Sequence, residues 1–206
     1  VLIADDHTLV AEACSKLLQP EFDVVGVVAD GRALLRAVPQ LQPDVVVLDI
    51  GMPLLNGLDA GEQVKQISGR IKLVYLTMNQ DAELATEAFR RGASGYLLKT
   101  GAASELAVAL RSVLKGKSYV SPRIAREMKP ALSRTGKPQA RPHITPRQKE
   151  VLQLLAEGRS MKEVANVLEL KPRTVAYHKY RIMEVLRIKS NAELVQYAIR
   201  NRMIES

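Results

Sequence analysis

A single cysteine, Cys14, stands among the 206 residues, so no disulfide can close within the chain and a reducing compartment, the cytoplasm, is expected. Its default role is that of a small buried apolar residue, with a redox sensor well behind. No apolar stretch is long enough to cross a bilayer, and the longest, around 45–48, are strand-sized; no membrane partner is expected. The chain opens Val-Leu-Ile-Ala, without a basic start or a cleavage site, so a signal peptide is not expected. Val1 is not expected to be the natural start, since no Met precedes it. Neither charge nor apolar content is extreme, which speaks against wholesale disorder.

What is present is unevenly placed. The length suits two domains, each able to bury a core of its own. Residues 1–120 carry a net charge of −2, whereas 121–142 and 143–206 carry +5 each, within a total of +8. A basic C-terminal half on a mildly acidic N-terminal half points to a polyanionic partner at one end only. Charge alone leaves the blander reading, a merely solvated basic surface, open as well.

Short β-branched runs at 1–4, 24–28, 45–48, 73–76 and 95–98 alternate with helix-period segments at 8–18, 32–38, 58–67, 82–91 and 104–115. Near-continuous apolar strands alternating with helices call for a doubly wound, five-stranded parallel sheet covered on both faces. Gly92 follows Phe89-Arg90-Arg91 as a helix stop with cations in the last turn. From 119 to 142 the pattern breaks. Pro122, Pro130, Gly136, Pro138 and Pro142 punctuate a basic stretch that reads as a linker, with a short helix over 121–128 ending before Pro130. Beyond it, Thr145-Pro146-Arg147-Gln148, Ser160-Met161-Lys162-Glu163 and Ser190-Asn191-Ala192-Glu193 each have the form of a capping box, Gly158 ends the first helix, and Pro172 opens another. Four short helices are expected over 143–206.

In a parallel α/β sheet, residues just past the C-terminal strand ends converge on one rim. Asp5 and Asp6 follow the first strand, Asp49 the third, Thr77 the fourth and Lys99 the fifth. Carboxylates gathered on one rim repel without a cation, so a hard divalent metal with oxygen ligands, Mg²⁺ foremost, is expected. Lys99 adds a fixed positive charge and Thr77 a hydroxyl donor, a set suited to a carboxylate that accepts a phosphoryl group. Taken singly, each has a plainer role: a helix cap, a turn former or a solvated cation. Together they are hard to explain that way.

Leu2-Ile3-Ala4-Asp5-Asp6-His7, Leu48-Asp49-Ile50-Gly51-Met52-Pro53 with Asn56-Gly57, Leu76-Thr77-Met78 and Gly95-Tyr96-Leu97-Leu98-Lys99 resemble a response-regulator receiver domain of flavodoxin-like fold, over 1–118. The resemblance implies that Asp49 accepts a phosphoryl group from a phosphohistidine of a sensor histidine kinase. It implies that Asp6, Asp49 and the Gly51 carbonyl ligate Mg²⁺, with Asp5 acting through water. Thr77 would then swing toward the phosphoryl oxygens and Tyr96 would turn inward behind it; a half-buried strand aromatic is the plainer role for Tyr96. Many receivers follow the lysine with a cis proline, whereas Thr100 follows Lys99 here, and a non-proline cis bond would cost about 2.5–4 kcal/mol.

In the third C-terminal helix, Val175, Ile182, Val185 and Leu186 share one face at about 100° per residue, to dock on Met161, Val164, Ala165 and Leu168. Arg173, Ala176, Tyr177, Tyr180 and Arg181 share the other, a basic and aromatic face of the kind that reads a major groove. His178 and Lys179 fall on the flanks, nearer phosphates than base edges. Residues 143–206, through Thr145-Pro146-Arg147-Gln148-Lys149-Glu150-Val151-Leu152, Lys162-Glu163-Val164-Ala165, Arg173-Thr174-Val175 with His178, and Asn191-Ala192-Glu193-Leu194-Val195, resemble the LuxR-type (NarL/FixJ) helix-turn-helix. The resemblance implies double-stranded DNA contacts along 173–181, Thr174 included. Ala176, Tyr177 and Tyr180 depart from the polar residues frequent at those positions, so apolar contacts to thymine methyls are expected to contribute to readout. It further implies that the last helix dimerises the active protein on two half-sites, through Val195, Tyr197 and Ile199, although these could equally be intramolecular core. RNA polymerase is a candidate further partner.

The expected function is a DNA-binding transcriptional regulator switched by phosphorylation of Asp49, and not an enzyme beyond slow self-dephosphorylation. One rival is a regulator of the same build that answers to a protein or small molecule without phosphorylation. Another is a Mg²⁺-dependent phosphohydrolase using Asp49 as nucleophile, for which no histidine at a strand end supplies a base, His7 heading a helix instead.

Overall fold

A computed structural model of the chain describes residues 1–133 and 144–204. The apolar runs near the N-terminus become β1 (Leu2–Ala4), β2 (Gly26–Val28), β3 (Val45–Leu48), β4 (Lys72–Thr77) and β5 (Gly95–Leu98). Between and after them run α1 (Thr8–Leu18), α2 (Gly31–Leu41), α3 (Gly57–Ile67), α4 (Ala82–Arg90) and α5 (Ala102–Leu114). All pairings are parallel, in the order β2-β1-β3-β4-β5 and then one strand more. Alternation along each strand divides the side chains. Ile3, Val45, Val47, Val74, Leu76 and Leu97 face a core shared with Cys14 and Leu18 of α1 and Leu106, Leu110 and Val113 of α5. Their neighbours Leu2, Val46, Leu48, Leu73 and Tyr75, equally buried, take the opposite face. Each such aliphatic side chain removed from water contributes about 1.5–3 kcal/mol before entropy is charged against it.

The sheet exceeds the expected five strands. Tyr119–Val120 forms β6, in parallel register with Gly95 and Tyr96 of β5, so the described residues hold a six-stranded sheet. Immediately after it comes α6 (Pro122–Ser133), part of the same compact unit as the sheet. The stretch from 119, expected as linker, therefore enters the fold, and the helix does not stop before Pro130. Pro122 sits where a helix has no use for its N–H, and α6 continues through Pro130 although that residue has no N–H to give. Ser121 fastens this corner: its hydroxyl donates to Glu105 Oε2 of α5 at 2.5 Å and accepts the Leu98 N–H at 3.2 Å. Gly136, Pro138 and Pro142 of the expected linker lie outside the described residues. Gly92, with φ of 95°, supplies the left-handed stop beyond α4. Among the described residues no peptide bond is cis, so Lys99–Thr100 is trans.

The C-terminal unit holds the four expected helices: α7 (Pro146–Ala156), α8 (Met161–Leu168), α9 (Pro172–Leu186) and α10 (Asn191–Arg200). Thr145 with Gln148 and Ser160 with Glu163 close reciprocal capping boxes. At α10 the Ser190 hydroxyl accepts the Glu193 N–H, but the Glu193 carboxylate takes the Lys189 N–H in return. Glu163, carrying that hydrogen bonding at Ser160, is held below the usual carboxylate range. Val151, Leu152, Leu154, Val164, Ala165, Leu168, Val175, Ile182, Leu194 and Ala198 form its core. Val185 and Leu186 pack at the edge of that core, and Met161, expected inside, is exposed because it opens the first turn of α8.

Candidate functional site

Ala4 and Leu48 are register partners in adjacent strands, so the next residues, Asp5 and Asp49, emerge side by side at the sheet rim. This is the point where strand order reverses, with β2 to one side of β1 and β3 to the other, the usual crevice of an open α/β sheet. The backbone fixes both residues: Asp49 N–H donates to Ala4 O at 2.8 Å, and Asp5 N–H to Val28 O at 3.0 Å. Both carboxylates are buried. Two such charges side by side require a counter-ion. Lys99, arriving from the end of β5, places Nζ 2.8 Å from Asp49 Oδ2 and 2.9 Å from Asp5 Oδ2. Burial opposes the lysine's charge, but the hydrogen bond and field of Asp49, then those of Asp5, outweigh it and raise its pKa. The other Asp49 oxygen, Oδ1, accepts the Ile50 N–H at 2.7 Å.

Gly57 keeps this corner tight. Its N–H donates to Ile50 O at 2.8 Å, closing the loop that carries Gly51. A Cβ on Gly57 would lie 1.9 Å from the Asp49 carbonyl oxygen, which no side chain can do. Thr77, buried at the end of β4, accepts the Asn79 N–H on Oγ1 at 3.1 Å. Tyr96, expected to turn inward on phosphorylation, is already fully buried, and its hydroxyl donates to Asn79 O at 3.3 Å. Burial first and the Asp49 charge second push its phenol pKa up, so it stays a neutral donor.

The rim also holds a residue that sequence reasoning placed only at the head of a helix. His7 caps α1 with no side-chain bond to it; instead its ring turns to the carboxylates, with Nδ1 3.2 Å from Asp5 Oδ1 and 3.1 Å from Asp6 Oδ1. Asp5, Asp6, His7 and Asp49 each offer one ligand atom, all within 4.8 Å of one another. Such a set of hard oxygens with one imidazole nitrogen fits a divalent cation.

In the C-terminal unit, Tyr177 and Tyr180 are 61% and 67% exposed on α9, beside exposed Arg173 and Arg181. Arg181 is paired with Glu184 one turn on, a surface pair weak enough to exchange for another anion. Thr174 and Ala176 are half-buried, as are the flanking His178 and Lys179. The His178 ring lies edge-on to Tyr177 at 5.6 Å, and its buried Nδ1 has no hydrogen-bond partner. Val195 and Tyr197 lean on the domain's own core, whereas Ile199 is 37% exposed.

Residues 1–111 match the family model of the response regulator receiver domain, and residues 142–198 that of bacterial regulatory proteins of the luxR family. The chain belongs to the LuxR-type response regulators. The oxygen regulatory protein NreC of Staphylococcus carnosus is 34% identical over all of this chain and 99% of its own length. Among solved structures, the RcsB response regulator of Salmonella typhimurium is 28% identical over 95% of each chain, with a TM-score of 0.59. An RcsB–DNA complex matches equally well, at 28% identity, 95% of each chain and a TM-score of 0.60. A LuxR-type response regulator is a transcription regulator rather than a metabolic enzyme, so the expected fold class and function hold. No helix among the described residues is long and apolar enough to cross a membrane.

Proposed function

We propose that Asp49 is the phosphoacceptor of this response regulator and that its phosphorylation governs binding of α9 to double-stranded DNA in the cytoplasm. The observation that carries this reading is the Lys99 ammonium seated between Asp49 and Asp5 at hydrogen-bond distance from both. A carboxylate so placed has beside it a cation ready for the charge that arrives with a phosphoryl group.

In the proposed step an Asp49 carboxylate oxygen attacks the phosphorus of a phosphohistidine on a sensor kinase. The O–P bond forms as the N–P bond breaks, and the departing imidazole nitrogen takes up a proton. Asp6, Asp49 and the Gly51 carbonyl would hold Mg²⁺, with Asp5 acting through water. Bound there, the ion supplies a Lewis acid for the phosphoryl oxygens. Lys99 balances the remaining charge, and Thr77 exchanges its Asn79 contact for a phosphoryl oxygen. Tyr96, already inward, would hold the loop at Asn79 against the new position of Thr77. Hydrolysis of the acyl phosphate resets the domain slowly.

On the DNA side, Arg173, Thr174, Ala176, Tyr177, Tyr180 and Arg181 would face the major groove, with Lys179 and His178 toward phosphates. RcsB dimers on DNA are known among the structural neighbours. A homodimer on two half-sites is the matching arrangement here, with Ile199 exposed for it and Val195 and Tyr197 supporting α10 from within. Incubation with acetyl phosphate and Mg²⁺ should add one labile phosphoryl group to the wild type and raise its affinity for promoter DNA. Asp49→Asn should gain neither. Equal DNA affinity of the wild type before and after phosphorylation would remove the gating claim.

A further inference from the structure

We propose that His7 is a direct metal ligand through Nδ1, so that the phosphoacceptor site holds first-row transition divalent cations through a mixed nitrogen and oxygen donor set. The proposal rests on the divalent-cation reading of the Asp6 and Asp49 cluster given above.

The geometry follows from the backbone. His7 is the residue between β1 and α1, in extended conformation with φ −85° and ψ 94°. Its own N–H donates to Asp5 Oδ1 at 2.9 Å, which ties the residue back over the rim instead of letting it point along the helix. Nδ1 then lies 3.1 Å from Asp6 Oδ1, 3.2 Å from Asp5 Oδ1 and 3.9 Å from Asp49 Oδ2. Donors bound to one ion at about 2.1 Å stand roughly 3.0 Å apart when adjacent and roughly 4.2 Å apart when opposite in an octahedron. The spacings to the two carboxylates that would bind the ion directly, 3.1 Å to Asp6 and 3.9 Å to Asp49, lie at the adjacent value and between the adjacent and opposite values without any ring rotation. The Lys99 ammonium, 3.4 Å from the same nitrogen, already presents a positive charge to it.

Chemistry decides the choice of ion. Mg²⁺ is held by oxygen donors and retains water in preference to imidazole, whereas Co²⁺, Ni²⁺ and Zn²⁺ take imidazole readily. An added nitrogen donor should therefore tighten binding of the second group far more than of the first. The alternative role for His7 is an ion pair with Asp5 and Asp6 and nothing more. In that role the ring would influence all divalent ions alike.

Metal-free full-length protein titrated with Co²⁺ and with Mg²⁺ by calorimetry separates these roles, with Co²⁺ also followed by visible absorption. Any carboxylate site prefers Co²⁺ to some degree, so the informative quantity is the change in preference between proteins. His7→Ala and His7→Gln should each lower Co²⁺ affinity by roughly tenfold or more and shift its absorption bands, while Mg²⁺ affinity falls far less. The strongly shifted imidazole resonance of a Co²⁺-bound histidine should appear in the wild type and vanish in both variants. Equal losses for the two ions, or no loss for Co²⁺, would overturn ligation by His7. Failure of the wild type to bind either ion, or Co²⁺ binding that survives Asp49→Asn and Asp6→Asn unchanged, would instead remove the metal site itself and the ligand with it.

Discussion

In the receiver unit the groups of interest come from separate stretches of chain. Asp5 and His7 follow β1, Asp49 follows β3, Thr77 ends β4 and Lys99 follows β5, and only the order of the sheet brings them together. In the helical unit they come from one continuous stretch, 173–181, and need nothing but the turn of α9 to share a face. The first arrangement buries its charges and couples them within hydrogen-bond distance. The second leaves Arg173, Tyr177, Tyr180 and Arg181 in solvent, with no ion pair or hydrogen bond joining one of them to the next. A buried, coupled site should therefore fail as a whole when its frame shifts, and an exposed helix face should lose function one residue at a time.

The sharpest way to break this contrast is Gly57→Ala. The new methyl would collide with the Asp49 carbonyl oxygen, 1.9 Å from its ideal position, and the acceptor loop would have to move. Phosphorylation by acetyl phosphate should slow by roughly a hundredfold, as expected for misplacing a reacting group by about 1 Å. DNA binding by the unphosphorylated protein should be retained. Tyr177→Ala and Tyr180→Ala test the other side. Each should change discrimination at particular base pairs by about 1–3 kcal/mol in a binding assay over single-base variants, without altering the rate of phosphorylation. A uniform loss of affinity for all sequences would instead make them backbone contacts. The smallest effect belongs to Ser160→Ala, which removes the cap of α8 and should cost the helical unit about 1 kcal/mol in chemical denaturation. The receiver unit should melt as before.

The same contrast governs how much could be read from sequence. The span 8–18 matches α1 residue for residue, and the boxes at Thr145 and Ser160 close as written, because caps and amphipathic turns are local. The five strand-end residues were legible because strand ends of a parallel sheet share one rim. What escaped is what depends on distant partners. A two-residue strand such as Tyr119–Val120 has no period to detect, and it exists through pairing with β5 and the Ser121 contacts to Glu105 and Leu98. Pro130 read as a stop because a proline costs a helix interior a hydrogen bond and a ring clash, yet α6 runs through it to Ser133. His7 does head α1, but the direction of its ring is set by Asp5, a partner the sequence places nearby without orienting it.

The strand that lengthened the sheet also finishes it. Among the described residues the two outermost strands are β2, three residues long, and β6, only two. Every longer strand lies between them with both edges paired. A sheet bordered this way offers an incoming chain too few consecutive backbone groups to extend it, which is how soluble sheets escape stacking into fibres. Copies of this protein gathered side by side at high local concentration would thus meet through their side chains, and could separate again.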